Sequence, residues 1–294
     1  MRPVMEWGYY PGCTLTQSAS AYDRQVRALM ERIGRPVAEI ADWNCCGATS
    51  ASKHDAFLAT ALPARNLGLA ESQGFSRILV PCSGCYSREK AAQYRMFSEP
   101  DVAEAVNSKL SHKVTKKITV VSILEALDEA LSDGSLNAAA TKKLTGMKAA
   151  PYYGCLTRLA DKAPFFDDNE NPQVMERILS AMGIESVDFS AKTRCCGASA
   201  AVNDRDTAIS LMSIIMAQAV ERGANAIVVS CPMCHLNMDA CQDEVGLLSG
   251  IQRRLPVYYI TELLGLSAGL DPEILGLTEH FVSGLPLLSE LGLP

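Results

Sequence analysis

No run of about 18 uninterrupted apolar residues occurs in the 294 residues, so no membrane-spanning helix is expected. The opening Met1-Arg2-Pro3-Val4-Met5-Glu6-Trp7-Gly8 has no apolar export core, which predicts no signal peptide and a cytoplasmic location. Basic residues are in deficit: 27 Lys plus Arg stand against 33 Asp plus Glu, for a net charge of −6. That balance gives no footing for a nucleic-acid groove. With 48% hydrophobic and 20% charged residues the chain is too apolar to stay disordered. It is long enough for a sizeable core and for two domains of about 150 residues. What the chain does have is eleven cysteines.

In a reducing compartment, regularly spaced cysteines more often bind metal or do redox chemistry than staple the fold. Here their order carries the information. Cys13, Cys45, Cys46, Cys82 and Cys85 form a first set; Cys155, Cys195, Cys196, Cys231 and Cys234 form a second, and Cys241 is left over. Each set reads as a lone Cys, a Cys-Cys-Gly and a Cys-x-x-Cys, with equivalents 142, 150, 150, 149 and 149 positions apart. Neighbours agree: Tyr9-Tyr10-Pro11-Gly12-Cys13 answers Tyr152-Tyr153-Gly154-Cys155, and Cys45-Cys46-Gly47-Ala48 answers Cys195-Cys196-Gly197-Ala198. The chain is an internal duplication with a period near 150.

Within each half, short apolar runs alternate with helical periods. The pattern predicts strands at 6–10, 37–40 and 77–80, with helices over 19–33, 58–72 and from Ser87 towards Phe97. The second half repeats it with a helix at 214–221, a strand at 226–230 and a helix containing Cys241. Each half closes with a strand and a helix, at 118–127 and 257–264. The expected fold is α/β: two tandem Rossmann-like repeats, 1–147 and 148–294, with mainly parallel sheets. The cysteine clusters then fall in strand-to-helix loops at the carboxyl edge of each sheet, where ligands bind. Helix N-termini there favour thiolate over thiol.

One zinc takes four ligands in a closed site, and five cysteines per repeat are one too many. Adjacent cysteines also suit a single ion poorly, because their side chains tend to diverge, whereas neighbouring thiolates can serve different irons of one cluster. Two forms stay open: a cluster with unusual ligation, or a cubane beside a reactive thiol. Zinc is the lesser reading. Cys231-Pro232-Met233-Cys234-His235 also matches the Cys-x-x-Cys-His of c-type haem attachment. Without an export segment, and with Tyr86 at the equivalent first-half position, that match is taken as accidental.

These motifs resemble the paired cysteine-rich CCG domains of the heterodisulfide reductase B-subunit family. The resemblance spans nearly the whole chain, through Gly8-Tyr9-Tyr10-Pro11-Gly12-Cys13, Asp42-Trp43-Asn44-Cys45-Cys46-Gly47-Ala48, Pro81-Cys82-Ser83-Gly84-Cys85, Cys195-Cys196-Gly197-Ala198 and Cys231-Pro232-Met233-Cys234-His235. The tail segments Gly269-Leu270-Asp271-Pro272 and His280-Phe281-Val282 look similar too. The likeness implies two noncubane [4Fe–4S] clusters, one per repeat, held by Cys13, Cys45, Cys46, Cys82 and Cys85 and by Cys155, Cys195, Cys196, Cys231 and Cys234. It implies cleavage or formation of a disulfide, such as that of coenzyme M and coenzyme B, between the two clusters. It also implies two partners, a C-type iron–sulfur protein and an A-type flavoprotein of the same complex. The chain has no ferredoxin-type Cys-x2-Cys-x2-Cys-x3-Cys run, which fits electrons arriving from outside. The competing class is an electron-relay subunit of a flavin-dependent oxidoreductase, sulfur-oxidising systems included.

A second tier of residues is less defined. Cys241 lies two helical turns beyond Cys234 and faces either the same site or ordinary packing. His235 and His54 follow cluster loops and are the candidate proton donors to a departing thiolate. Arg158, Lys162 and Arg194 are candidates for holding an anionic substrate tail. The segment 163–172 is read as pocket wall, partner contact or plain surface loop, and the Leu-rich tail 263–293 as a docking face or self-packing.

Overall fold

A computed structural model describes residues 7–48, 51–156, 163 and 165–293. The first repeat builds its sheet from β1 (Trp7–Tyr9), β2 (Val37–Glu39), β3 (Arg77–Val80) and β4 (Thr119–Ser122). All pairs are parallel and the order is β2-β1-β3-β4. The second repeat uses β5 (Lys148–Tyr152), β6 (Glu185–Ser186), β7 (Ala226–Val229) and β8 (Val257–Tyr259), again all parallel, in the order β6-β5-β7-β8. Residues 78–80 of β3 and the whole of β7 read as apolar runs because helices cover both faces of a parallel sheet. Val80 pairs with Ser122 and Val229 with Tyr259, so the two sheets share one register. The expected α/β architecture of tandem repeats is what the chain adopts.

The helix Leu58–Ser72 and the strand Arg77–Val80 fall where the periodicity places them. Two helices start earlier than expected. The one after Pro81 begins at Ser83, so Cys85 lies in its first turn rather than in a loop ahead of it. In the second repeat the helix is Arg205–Glu221, because Asp204 caps it by accepting from the Thr207 amide at 3.2 Å. The helix expected to contain Cys241 instead stops: Pro232–Ala240 ends there and Gln242–Ser249 begins.

The repeats are cross-braced. Helix Ser20–Arg32 of the first repeat packs on Ile260–Ser267, the closing helix of the second, while Val174–Ala181 packs on Ile123–Ser132, the closing helix of the first. At the first brace the wholly buried Gln25 donates from Nε2 to Glu262 Oε1 (3.0 Å) and the Leu275 carbonyl (2.5 Å), and accepts from Thr261 Oγ1 (2.8 Å). At the second, Arg177 meets Asp128 at 2.9 Å. One apolar core runs through both repeats.

The Leu-rich tail packs on its own chain: Leu275, Leu277 and Leu288 are buried and Arg24 pairs with Glu279. In the segment 163–172, Phe165 and Phe166 pack on the core, and Asp167 accepts from the amides of Gln173 and Val174 to start the next helix. No helix among the described residues is long and apolar enough to cross a membrane.

Candidate metal centre

Both lone cysteines follow a strand and a tyrosine whose hydroxyl reaches back to the Cys-Cys loop. Tyr10 donates to the Asn44 carbonyl at 2.9 Å and Tyr152 to the Arg194 carbonyl at 2.5 Å, so each holds the residue just before a cysteine pair. Gly12, at φ +69°, leaves room for the Cys85 sulfur, which would lie 2.9 Å from any added Cβ. The amides of Gly47 and Gly197 point at Cys45 and Cys195, with N···S separations of 3.5 and 3.3 Å. Two turns 150 residues apart are therefore built alike, down to the atoms facing sulfur.

Each set of five converges. Cys46 and Cys85 stand 3.4 Å apart, and Cys196 and Cys234 3.5 Å. Cys13 shifts the ionisation of Cys45, and Cys85 that of Cys82; in the second repeat Cys195 acts on Cys155 and Cys234 on Cys231 in the same way. All eleven cysteines are free thiols. Cys46, Cys82 and Cys85 are buried, as are Cys196, Cys231 and Cys234, while Cys13, Cys45 and Cys195 are exposed. Each centre thus has a dry floor and an open rim.

Packed sulfurs divide into acceptors and donors. Hydrogen bonding with Cys85 brings the Cys46 thiol down to about 7, and bonding with Cys155 brings Cys195 down to about 2. Cys231 is lowered by Cys234 and Cys82. Their partners move the other way: Cys85 is raised by Cys46, Cys155 by Cys195, and Cys234 by Cys196. Five thiols held this close cannot all ionise without a cationic centre among them, which is the state metal ligation demands. Among the described residues no three of these sulfurs come within 4.8 Å of one another, the spacing one small ion needs. The all-thiolate donor set and its span fit an iron–sulfur cluster better than a single zinc.

The two sets meet. Cys82 and Cys231, equivalent in the duplication, lie close enough across the seam between repeats for each to shift the other's ionisation. Tyr22, from the first cross-bracing helix, reaches both approaches to this contact: its hydroxyl donates to the Ser230 carbonyl at 2.7 Å and lies 3.5 Å from the Pro81 carbonyl. Its ring stacks on Tyr259 at 4.1 Å.

A polar layer below the centres escaped the sequence reading. In the first repeat Asn66 accepts from the Asn44 amide and donates to the Asn44 carbonyl and to Glu89, which is wholly buried. In the second, Asn237 donates to the Cys196 carbonyl at 2.8 Å. Their signal was a polar residue on an otherwise buried helix face.

The second-tier residues scatter. His235 is buried and stacks on Tyr259 at 4.2 Å. Burial pushes its imidazole down to about 3. His54 is exposed on the short helix Ala51–His54. Cys241 sits at the break between two helices, its sulfur 3.8 Å from the Arg205 guanidinium, and packs rather than joining the cysteine network. Arg194 is exposed beside Cys195, and Arg158 and Lys162 lie outside the described residues.

Comparison with known proteins agrees with this geometry. The cysteine-rich CCG domain model matches residues 7–88 and again 149–239. The chain is 29% identical over 285 residues to the 8-methylmenaquinol:fumarate reductase membrane anchor subunit of Wolinella succinogenes, covering 96% of this chain and 99% of that protein. It is 28% identical over 290 residues to the B subunit of the ferredoxin/F420H2-dependent CoB-CoM heterodisulfide reductase of Methanosarcina acetivorans, covering 96% and 95%. Among solved structures, a hypothetical protein from Helicobacter pylori shares the fold with a TM-score of 0.74 at 12% identity; the match covers 95% of this chain and about half, 52%, of that one. With its domain model matched twice and both matches carrying the same five-cysteine geometry, the chain belongs to the cysteine-rich CCG domain family.

Proposed function

We propose that this chain is the sulfur-handling subunit of an oxidoreductase complex of the heterodisulfide reductase type, cleaving or forming a disulfide at two noncubane [4Fe–4S] clusters, one per repeat. The observation that carries the reading is the approach of Cys82 to Cys231, each shifting the other's ionisation, which brings the two five-cysteine sets together. Reduction of a disulfide to two thiols consumes two electrons and two protons, and a paired centre matches that demand. When bound, the clusters supply the electrons and the iron sites that hold sulfur. The protein's part is to fix ten thiolates, hold the loops through Tyr10 and Tyr152, and leave the Cys13, Cys45 and Cys195 rim open to solvent. His54, exposed after the first Cys-Cys loop, is a histidine candidate for delivering a proton. A C-type iron–sulfur protein and an A-type flavoprotein are the proposed partners, since relatives are named as subunits of larger reductases.

The test is anaerobic. The reconstituted chain should carry iron and acid-labile sulfide at about eight each per chain, as two four-iron clusters require. Its electron paramagnetic resonance spectrum should change when coenzyme M–coenzyme B heterodisulfide or the free thiols are added. Two zincs and no labile sulfide would sink the proposal. The fumarate reductase relative favours a second reading, electron relay between a quinol and a flavoprotein. That reading wins if thiols and disulfides leave the spectrum untouched while a reduced partner protein bleaches it.

A further inference from the structure

The second repeat contains a cluster of donors that the cysteine chemistry does not use. His235 and Asp239 sit at i and i+4 on one face of helix Pro232–Ala240, and His280 arrives from the tail. One donor atom from each lies within 4.8 Å of the other two. Metal bonds of about 2.1 Å would draw such atoms to about 3.4 Å apart, a side-chain-scale adjustment.

The hydrogen bonds prepare both imidazoles. Glu262, itself buried, holds His280 Nε2 at 2.9 Å and leaves Nδ1 buried without a partner. The Val257 carbonyl accepts from the His235 ring and leaves its Nε2 buried without a partner. His235 is only 8% exposed and the His280 side chain 3%. A carboxylate or carbonyl on the far nitrogen is the arrangement that orients a metal-binding histidine. Asp239 is fixed by the amides of Phe281 (2.7 Å) and Val282 (3.0 Å). The three residues line a cavity of about 90 Å³ together with Glu262, Glu279 and Thr14. Its acidic walls favour a cation.

The duplication supplies an independent comparison. Tyr86 and Lys90 are the first-repeat equivalents of His235 and Asp239, and Val120 and Glu125 of Val257 and Glu262. There the Lys90 ammonium donates to the Val120 carbonyl at 3.0 Å and lies 3.9 Å from Glu125. The first repeat carries its own cation at this place. The second replaces it with an acid and two imidazoles.

We propose that His235, Asp239 and His280 bind a divalent transition-metal ion of the zinc or ferrous class, distinct from the cysteine centres, which clamps the tail onto helix Pro232–Ala240. Two imidazoles and one carboxylate are a donor set of that class, with a fourth position open to the cavity.

The experiment uses the full chain with its clusters loaded, washed with chelator and then given zinc sulfate. Elemental analysis should find one zinc per chain beyond the iron, and zinc-edge X-ray absorption should show nitrogen and oxygen at about 2.0–2.1 Å with no sulfur shell near 2.3 Å. His280→Ala and Asp239→Asn should each weaken zinc binding at least about tenfold while labile sulfide stays at the wild-type level. A sulfur shell, no bound zinc, or affinities within twofold of wild type in both variants would overturn the proposal. If the variants fail to fold, the absorption spectrum of the wild-type chain decides alone. None of these readouts depends on disulfide chemistry, so this site and the proposed function fail separately.

Discussion

Replacing Gln25 by leucine should destabilise the chain far more than the same replacement at Gln73. Both glutamines use both ends of the amide. Gln73 is exposed and spans the Ala41 amide and carbonyl at 2.9 and 3.1 Å. Gln25 is buried at the brace between repeats, and leucine there leaves the Leu275 carbonyl and the Thr261 hydroxyl without this partner. Glu262 loses one bond but keeps His280 and the Tyr259 amide. A buried group stripped of its partner costs about 1–3 kcal/mol, so two such groups cost about 2–6 kcal/mol. For a chain of this size roughly 2–4 °C of Tm follows each kcal/mol, which gives a fall of about 4–24 °C. At Gln73 water replaces both partners and the loss should stay under about 1 kcal/mol. Differential scanning calorimetry of the cluster-loaded chains under anaerobic conditions measures both. A Gln25→Leu chain melting within about 2 °C of wild type, or a Gln73→Leu chain losing as much, would refute the claim that the repeats are locked through this amide.

Cys46→Ser and Cys196→Ser should each lower iron and labile sulfide by about half while the other repeat's centre survives; unchanged content in both would count against a duplicated site. Glu89→Gln should stabilise the chain increasingly as pH rises. Burial holds the Glu89 carboxyl well above the usual range; above about pH 4.3 the unfolded chain releases a proton that the folded chain keeps, so wild-type stability falls with pH by up to about 1.4 kcal/mol per unit until the folded group titrates. Glutamine has no such slope, and urea midpoints that differ from wild type equally at pH 5 and pH 7.5 would contradict this account. Expressed separately, 1–147 and 148–294 should be poorly soluble and recover when co-expressed, because each exposes a helix the other covers; a stable, monomeric 1–147 would argue against mutual bracing.

Much of the fold was legible because the duplication printed it twice. Residues 78–80 of β3 and the whole of β7 are contiguous apolar runs between a helix stop and a Pro- or Cys-bearing turn, and the sequence pattern alone finds them. Both cysteine sets were legible for the same reason. The start of helix Arg205–Glu221 was not, because Asp206, Thr207 and Ser210 dilute the apolar stripe and the Asp204 cap is a local hydrogen bond. The Asn66–Glu89 layer and the His235–Asp239–His280 group were hidden for another reason. Asn66 and Glu89 come from different helices, and His280 reaches His235 and Asp239 from the tail, through packing that no local pattern encodes. His235 is the sharpest case. Its place after a cluster loop is plain in the sequence, whereas its stacking on Tyr259 and its burial are not.

The crossed bracing of first helix on last helix, with Cys82 against Cys231 on its axis, is the geometry two identical single-repeat chains would make as an isologous dimer. In such a dimer every substitution appears on both sides at once. One continuous chain removes that constraint. Tyr86 and Lys90 can stand on one side where His235 and Asp239 stand on the other, so a centre that is symmetric in its sulfurs is free to become directional in everything around them.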